Sequence, residues 1–206
     1  MIRKIHSHRR SSVPFLLATC VGLAALILAP ASWAQESVVQ LDPTQAKIEF
    51  SLDGNFHTVH GKFALKSSTF RFDPSSGKIS GAIIVDATSG DSGNSGRDKK
   101  MHREILESAK FPEIAFTPTQ FTGTVAPEGD SKVEVSGQFR LHGQDHEVML
   151  PIEVKSDHGN LKMTTHIEIP YVQWGLKNPS NFLLRVKDTV VIEIEATGHV
   201  QSAGNP

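Results

Sequence analysis

The chain reads as an all-β protein, an antiparallel barrel of about eight strands with one α-helix inserted near residues 97–109. Three observations carry that reading. Apolar residues recur at every second position in run after run between Ala46 and His199, with polar residues between them. Because strand side chains alternate faces, such runs form sheet that is buried on one side and wetted on the other. Clusters of Gly, Asp, Asn, Pro and Ser separate the runs where hairpins need reversals, so consecutive strands should pair antiparallel. Several runs also last nine or ten residues, long for a small sandwich, and about eight such strands closed on themselves remove the exposed edges. A barrel with a cavity is favoured over a filled core.

Along the chain, Arg3, Lys4, Arg9 and Arg10 precede an apolar run from Val13 to Ala29 that ends in Ala31-Ser32-Trp33-Ala34. This is the pattern of a secretory signal peptide over residues 1–34, cut after Ala34, and it predicts a periplasmic location for a single domain over 35–206. Ser12 stands where a twin-arginine signal needs a large apolar residue, and Thr19 is a poor neighbour for a lipidated Cys20, so the general secretory route is expected.

The first runs place Ile48, Phe50 and Leu52, then Val59, Phe63 and Leu65, then Ile79, Ile83 and Val85 on shared parities. After Thr88 to Gly96, rich in Gly, Ser, Asp and Asn, the segment Arg97 to Ala109 sets Met101, Ile105 and Ala109 four apart with Leu106 beside them. That spacing gives a helix one apolar stripe, and Ser95 followed by Asp98 reads as its capping box. The later runs align Val133, Val135, Phe139 and Leu141, then Val148 to Val154, then Leu161 to Ile169, then Val190, Ile192 and Ile194. Turn signals sit at Asp53-Gly54-Asn55, Asp73 to Gly77, Pro127 to Asp130, Gly143-Gln144-Asp145 and Asp157 to Asn160. The segment Tyr171 to Phe182 mixes large apolar and polar groups in a loop, which suits a mouth or lid over a pocket.

Charge and cysteine exclude several functions. Four of the 21 basic residues and none of the 22 acidic ones fall in residues 1–34, which leaves a formal charge of −5 for 35–206. Such a balance argues against nucleic acid and against anionic membrane surfaces as partners. Cys20 is the one cysteine and lies in the expected leader, so residues 35–206 have neither a disulfide nor a thiolate metal site.

No residue set stands out as catalytic. His57 and His60 are three apart on an expected strand and face opposite sides, and His142 and His146 flank a turn, so neither pair makes a convincing metal site. No cofactor is expected. There is no Gly-x-Ser-x-Gly elbow and no phosphate-cradling glycine loop. Arg97 and Asp98 could form an acid/base or anion-binding pair, although helix-end electrostatics explain both. Aromatic residues at Phe50, Phe63, Phe72, Phe116 and Phe139 all lie on apolar parities, as an ordinary core would also place them.

Taken with these segments, the chain resembles the YceI-like family over essentially all of 35–206. The resemblance rests on Leu41-Asp42-Pro43, Phe56 to Phe63, Phe72-Asp73-Pro74, and Gly81 to Asp86, and most specifically on Arg97 to His102 leading to Leu106 and Phe111 to Phe116. Gly137 to Gly143, running on to Val148 and Pro151-Ile152, completes it. It implies an eight-stranded lipocalin-like barrel with a helix after about the fourth strand and a polyisoprenoid chain held inside. One departure is Tyr171-Val172-Gln173-Trp174-Gly175, where many members carry an aspartate-tyrosine-glycine stretch, and it leaves room for a different head group.

The expected function is therefore a periplasmic, noncatalytic binding protein that sequesters or carries an isoprenoid quinone or polyprenyl lipid. Phe50, Phe63, Ile83, Phe116, Phe139, Leu141, Tyr171, Trp174 and Phe182 are the expected contacts. Transient contact with a membrane or with membrane redox proteins, and a homodimer, are the partner expectations. Two rivals stay open: an enzyme using Arg97, Asp98 and His102 on the ligand's polar end, and a stress-related structural or interaction protein with a packed barrel.

Overall fold

The computed structural model describes residues 37–202; the expected leader and its cleavage point fall outside them. Within that span the strands are β1 (Ser37–Leu41), β2 (Lys47–Asp53), β3 (Thr58–Asp73), β4 (Lys78–Asp91), β5 (Glu113–Gly123), β6 (Gly129–Leu141), β7 (Gln144–Asp157), β8 (Asn160–Ile169) and β9 (Val190–Ser202). Every pairing is antiparallel.

These nine strands make a closed eight-stranded barrel, because β1 and β2 share one position. Both lie between β3 and β9: β1 pairs with Thr69 to Phe72 and with Gly198 to Ser202, whereas β2 pairs with Thr58 to Phe63 and with Val191 to Glu195. The break between them is the Leu41-Asp42-Pro43 region, where the Asp42 carboxylate accepts from the Thr44 amide and hydroxyl and holds a turn. Pairing of β3 with β4 and of β2 with β9 closes the cylinder, so the described strands leave no long free edge.

Local chemistry fixes the reversals. His142 and Gly143 between β6 and β7 have φ of 53° and 77°, and His158 and Gly159 between β7 and β8 have φ of 48° and 82°. Positive φ at both central residues is the two-residue hairpin geometry whose twist matches the strands it joins. The first of these turns begins one residue before the expected Gly143-Gln144-Asp145, since Gln144 and Asp145 already pair with Leu141 and Arg140. At Asp73 the carboxylate accepts from the Ser76 and Ser75 hydroxyls and the Ser75 amide, which holds its pKa down at about 2.

The expected parities point inward, with Ile48, Leu65, Val133, Val135, Leu150, Val154 and Leu161 buried in one core cluster. Two strands change parity part-way. In β3 a register shift between Leu65 and Ser67 moves the inward set from odd to even positions, so Phe70 and Phe72 face the same interior as Leu65. In β5 a shift between Pro118 and Gln120 moves the inward set from even to odd positions and brings Phe121 inward. Each extra residue rotates the rest of the strand to its other face.

The inserted helix is shorter and less regular than its sequence suggests. It comprises α1 (Ser95–Lys100) followed by a π-helical turn, Met101–Ile105, not a continuous α-helix to Ala109. Its N-cap is Asn94, whose side chain accepts from the Arg97 amide, in place of the expected Ser95–Asp98 box; Asp98 instead takes the amide and hydroxyl of Ser92. The π turn follows from tertiary anchoring. His102 reaches the Gly90 carbonyl on β4 and the Ser108 hydroxyl, while Glu107 adopts φ of 46° and meets His142. These ties draw the chain off the α-helical path, and Ala109 ends up exposed.

Candidate functional site

The barrel interior is a tunnel of two joined chambers. The inner one, about 160 Å³, is lined by Val39, Leu65, Phe116, Phe121, Leu150 and Ala196 among other apolar residues. The outer one, about 500 Å³, lies under the helix and the 179–190 loop. Ile48, Val85, Ile114, Phe139, Ile167 and Ile194, from six different strands, line both chambers and form the waist. A void this size lined by Leu, Ile, Val and Phe offers a guest dispersion contacts and gives water few hydrogen-bond partners. The rival with a packed barrel predicts no such space.

Most of the expected contact residues face this tunnel. Phe116 and Ile83 line the inner chamber, Phe50, Phe63, Leu141 and Tyr171 the outer one, and Phe139 both. Phe50 can lie flat against β3 because Gly61 is there; a Cβ on Gly61 would fall 2.4 Å from two atoms of the ring. Phe63 packs beside it, with ring centroids 5.5 Å apart. Tyr171 is buried, its hydroxyl donates to the Lys187 carbonyl, and burial, with a smaller push from Asp188, raises its pKa to about 12.

The other two sit elsewhere. Trp174 stacks on His146, with centroids 4.0 Å apart and rings nearly parallel, and does not line either chamber. Backbone bonds from Trp174 to Pro170 and from Leu176 to Tyr171 curl this segment so that Leu176, not Trp174, enters the wall of the outer chamber. Phe182 is 96% exposed. It shares the mouth with Phe56, 73% exposed, and Leu183, 71% exposed. The loops that carry these groups are bonded to each other, as Asn55 donates to the Arg185 and Leu183 carbonyls and accepts from the Arg185 amide.

The mouth is polar. Asn55, His57, Ser92, Asn94, Arg97, Lys100, Asn181 and Arg185 contribute to the outer chamber's lining, and among the described residues no carboxylate does. Lys100 donates to the Pro179 carbonyl at 2.8 Å and so ties the helix to the 179–190 loop. Arg97 is held by Ser92, with Nε donating to the hydroxyl at 2.7 Å and Nη2 to the carbonyl at 2.9 Å. Sequence reasoning missed Lys100 and Arg185, because nothing local distinguishes them from other surface cations.

The expected enzyme set is not convergent. Asp98 is occupied by Ser92, whose hydrogen bonds hold its carboxyl below the usual range, and it does not line the chamber. The Gly90 carbonyl can only accept, so His102 Nε2 carries the hydrogen, and its Nδ1 faces the Ser108 hydroxyl. Of the histidine pairs, His60 Nδ1 meets Ser51 at 2.9 Å, His142 meets Glu107 at 2.7 Å, and His146 lies under Trp174.

A family model for the YceI-like domain matches residues 39–198. The chain belongs to the YceI-like family. A UPF0312 protein of Vibrio cholerae serotype O1 is 29% identical over 137 residues, which span 65% of this chain and 70% of that protein. Protein YceI of Salmonella newport is 30% identical over 134 residues, 62% of this chain and 66% of the other. Among solved structures, BcnA of Burkholderia cenocepacia superposes with a TM-score of 0.64 at 16% identity, covering 76% of this chain and 98% of BcnA. A polyisoprenoid binding domain from Saccharophagus degradans gives 0.63 at 17% identity, covering 79% and 98%. At these identities the structural likeness establishes the fold of this YceI-like chain.

Proposed function

We propose that this protein is a noncatalytic periplasmic carrier that holds the chain of a polyisoprenoid, an isoprenoid quinone or polyprenyl lipid, inside its barrel. The observation that carries the proposal is the two-chamber apolar tunnel whose outer chamber is rimmed by polar groups. If a 150 Å³ cavity accommodates benzene, the two chambers scale to about 20 and about six carbons, roughly five isoprene units. Each carbon removed from water contributes about 0.8 kcal/mol, against the cost of immobilising the chain, so firm binding needs no covalent or metal anchor. The polyisoprenoid-binding relative from Saccharophagus degradans and the secretory pattern at Met1 to Ala34 support the ligand class and the compartment.

Transient membrane contact fits the same picture. Phe56, Phe182 and Leu183 project from two linked loops at the mouth, where apolar tips can enter a bilayer's interfacial layer while a lipid passes in or out. The direct test is organic extraction and mass spectrometry of protein purified from its native host. A prenyl lipid at near one per chain is the expected result. Recovery of none, together with no binding of added geranylgeraniol, refutes the proposal.

A further inference from the structure

The tunnel explains how a chain is held; the mouth carries a separate message about the other end of the ligand. Arg97, Lys100 and Arg185 line the outer chamber, and none takes part in a salt bridge among the described residues. On the strands, by contrast, most lysines and arginines are paired, such as Lys66 with Glu113 and Arg140 with Asp145. Residues 35–206 are acidic overall, yet no carboxylate among the described residues lines this chamber. Asp98 shares the Ser92 hydroxyl with Arg97 and feels its charge, and Glu104 feels that of Lys100, but neither carboxylate lines the chamber, while Asp53 binds Lys187 and Thr58, Asp91 pairs with Lys62 and Asp188 accepts from Asn178.

The cations are also partly positioned. Ser92 fixes two nitrogens of Arg97 and leaves Nη1 without a protein partner among the described residues. Lys100 spends one donor on the Pro179 carbonyl and has two more. Arg97 and Lys100 are half-buried at the edge of an apolar cavity, where an ion is screened less than on the open surface. Asn55, Asn94, Asn181 and Ser92 add neutral hydrogen-bonding groups around them.

We infer that the mouth selects an anionic head group, a phosphate on the end of the isoprenoid chain, over a neutral alcohol or quinone ring. The inference rests on the carrier reading above and adds the head-group chemistry to it. Arg97 and Arg185 supply planar donors suited to phosphate oxygens, and Lys100 supplies a point charge. The apolar tail occupies the tunnel while the phosphate stays at the wet rim, so its charge is never carried into the hydrocarbon interior.

The test compares geranylgeranyl phosphate, geranylgeraniol and inorganic phosphate by calorimetry at low salt. The wild type is set against a rim variant, Arg97→Gln with Lys100→Gln and Arg185→Gln. A control variant removes three cations that line neither chamber, Arg71→Gln with Lys78→Gln and Lys155→Gln. The wild type and the control should bind the prenyl phosphate at least about tenfold more tightly than the alcohol, with the preference shrinking as salt rises. The rim variant should bring that ratio to about one, as should the single exposed Arg185→Gln in part.

Equal binding of phosphate and alcohol by the wild type overturns the inference while leaving the carrier function intact. Failure of both prenyl compounds to bind overturns the carrier reading and this one with it. Inorganic phosphate binding as tightly as geranylgeranyl phosphate would also overturn it, because the rim would then be a simple anion site unconnected to the tunnel. Loss of the preference in the control as fully as in the rim variant would assign it to overall charge and likewise refute the role of the mouth.

Discussion

Replacing Ala196 by Phe should shorten the chain that the barrel accepts. Ala196 is buried on β9 and lines the inner chamber. The substitution adds one phenyl ring, and the inner chamber, about 160 Å³, is close to the 150 Å³ that holds one benzene molecule. The ring therefore takes the space of about six ligand carbons. At about 0.8 kcal/mol per carbon, a ligand long enough to reach past the waist and fill the inner chamber loses about 5 kcal/mol, or roughly several thousandfold in Kd. A ten-carbon prenol, which fits within the outer chamber, should change by less than about threefold. Titration of geraniol and of geranylfarnesol, a prenol of five isoprene units that outruns the outer chamber, into wild-type and Ala196→Phe protein measures both, with a thermal melt to show that the variant folds. Overpacking costs about 1–3 kcal/mol in general, but the chamber lets the ring enter without displacing its neighbours, so the loss of stability should be at the low end. Equal losses for the short and long alcohols, or no loss for either, would refute the series arrangement of the two chambers.

Three further outcomes follow from the same geometry. Gly61→Ala places a methyl 2.4 Å from the Phe50 ring and 2.7 Å from the Asp91 carbonyl, so it should destabilise by about 1–3 kcal/mol and lower Tm by several degrees; adding Phe50→Leu should recover part of the loss, and an unchanged Tm would show that the ring does not lie over this strand. Tyr171 has its pKa raised to about 12, so the folded state holds the phenolic proton more tightly than the unfolded chain, whose pKa is about 10. Its contribution is complete below pH 10 and is lost as pH rises toward 12, and Tyr171→Phe should flatten the fall of Tm across that window. Phe182→Ser with Phe56→Ser should weaken cosedimentation with zwitterionic phosphatidylcholine vesicles at least about tenfold, since both rings are exposed at the mouth; equal sedimentation would remove the membrane-contact proposal.

The sequence was most legible where the physics is local. Period-two alternation located the strands and the inward faces of Phe50, Phe116, Phe139 and Leu141, and the Asp73 and His158-Gly159 turns fell where their chemistry places them. It placed the helix but overstated its length and regularity, because the stripe of Met101, Ile105 and Ala109 says nothing of His102 binding Gly90 across the sheet. Trp174 was assigned to the tunnel from its size and its loop, whereas curling of that loop sets it on His146 and sends Leu176 inward. The bulges in β3 and β5 were hidden because a single inserted residue breaks alternation without leaving a motif of its own.

By itself, then, the chain determined the class of structure, the sidedness of its strands and the absence of any thiol from residues 35–206. Closure was decided by tertiary structure: β1 and β2 fill one place in the cylinder, and β3 meets β4 to seal it. So was the tunnel, because alternation reports which face is apolar but not how far opposite faces stand apart. The rim of Arg97, Lys100 and Arg185 belongs to the same category, for residues distant in sequence become one electrostatic surface only when the helix and the 179–190 loop fold over the same opening.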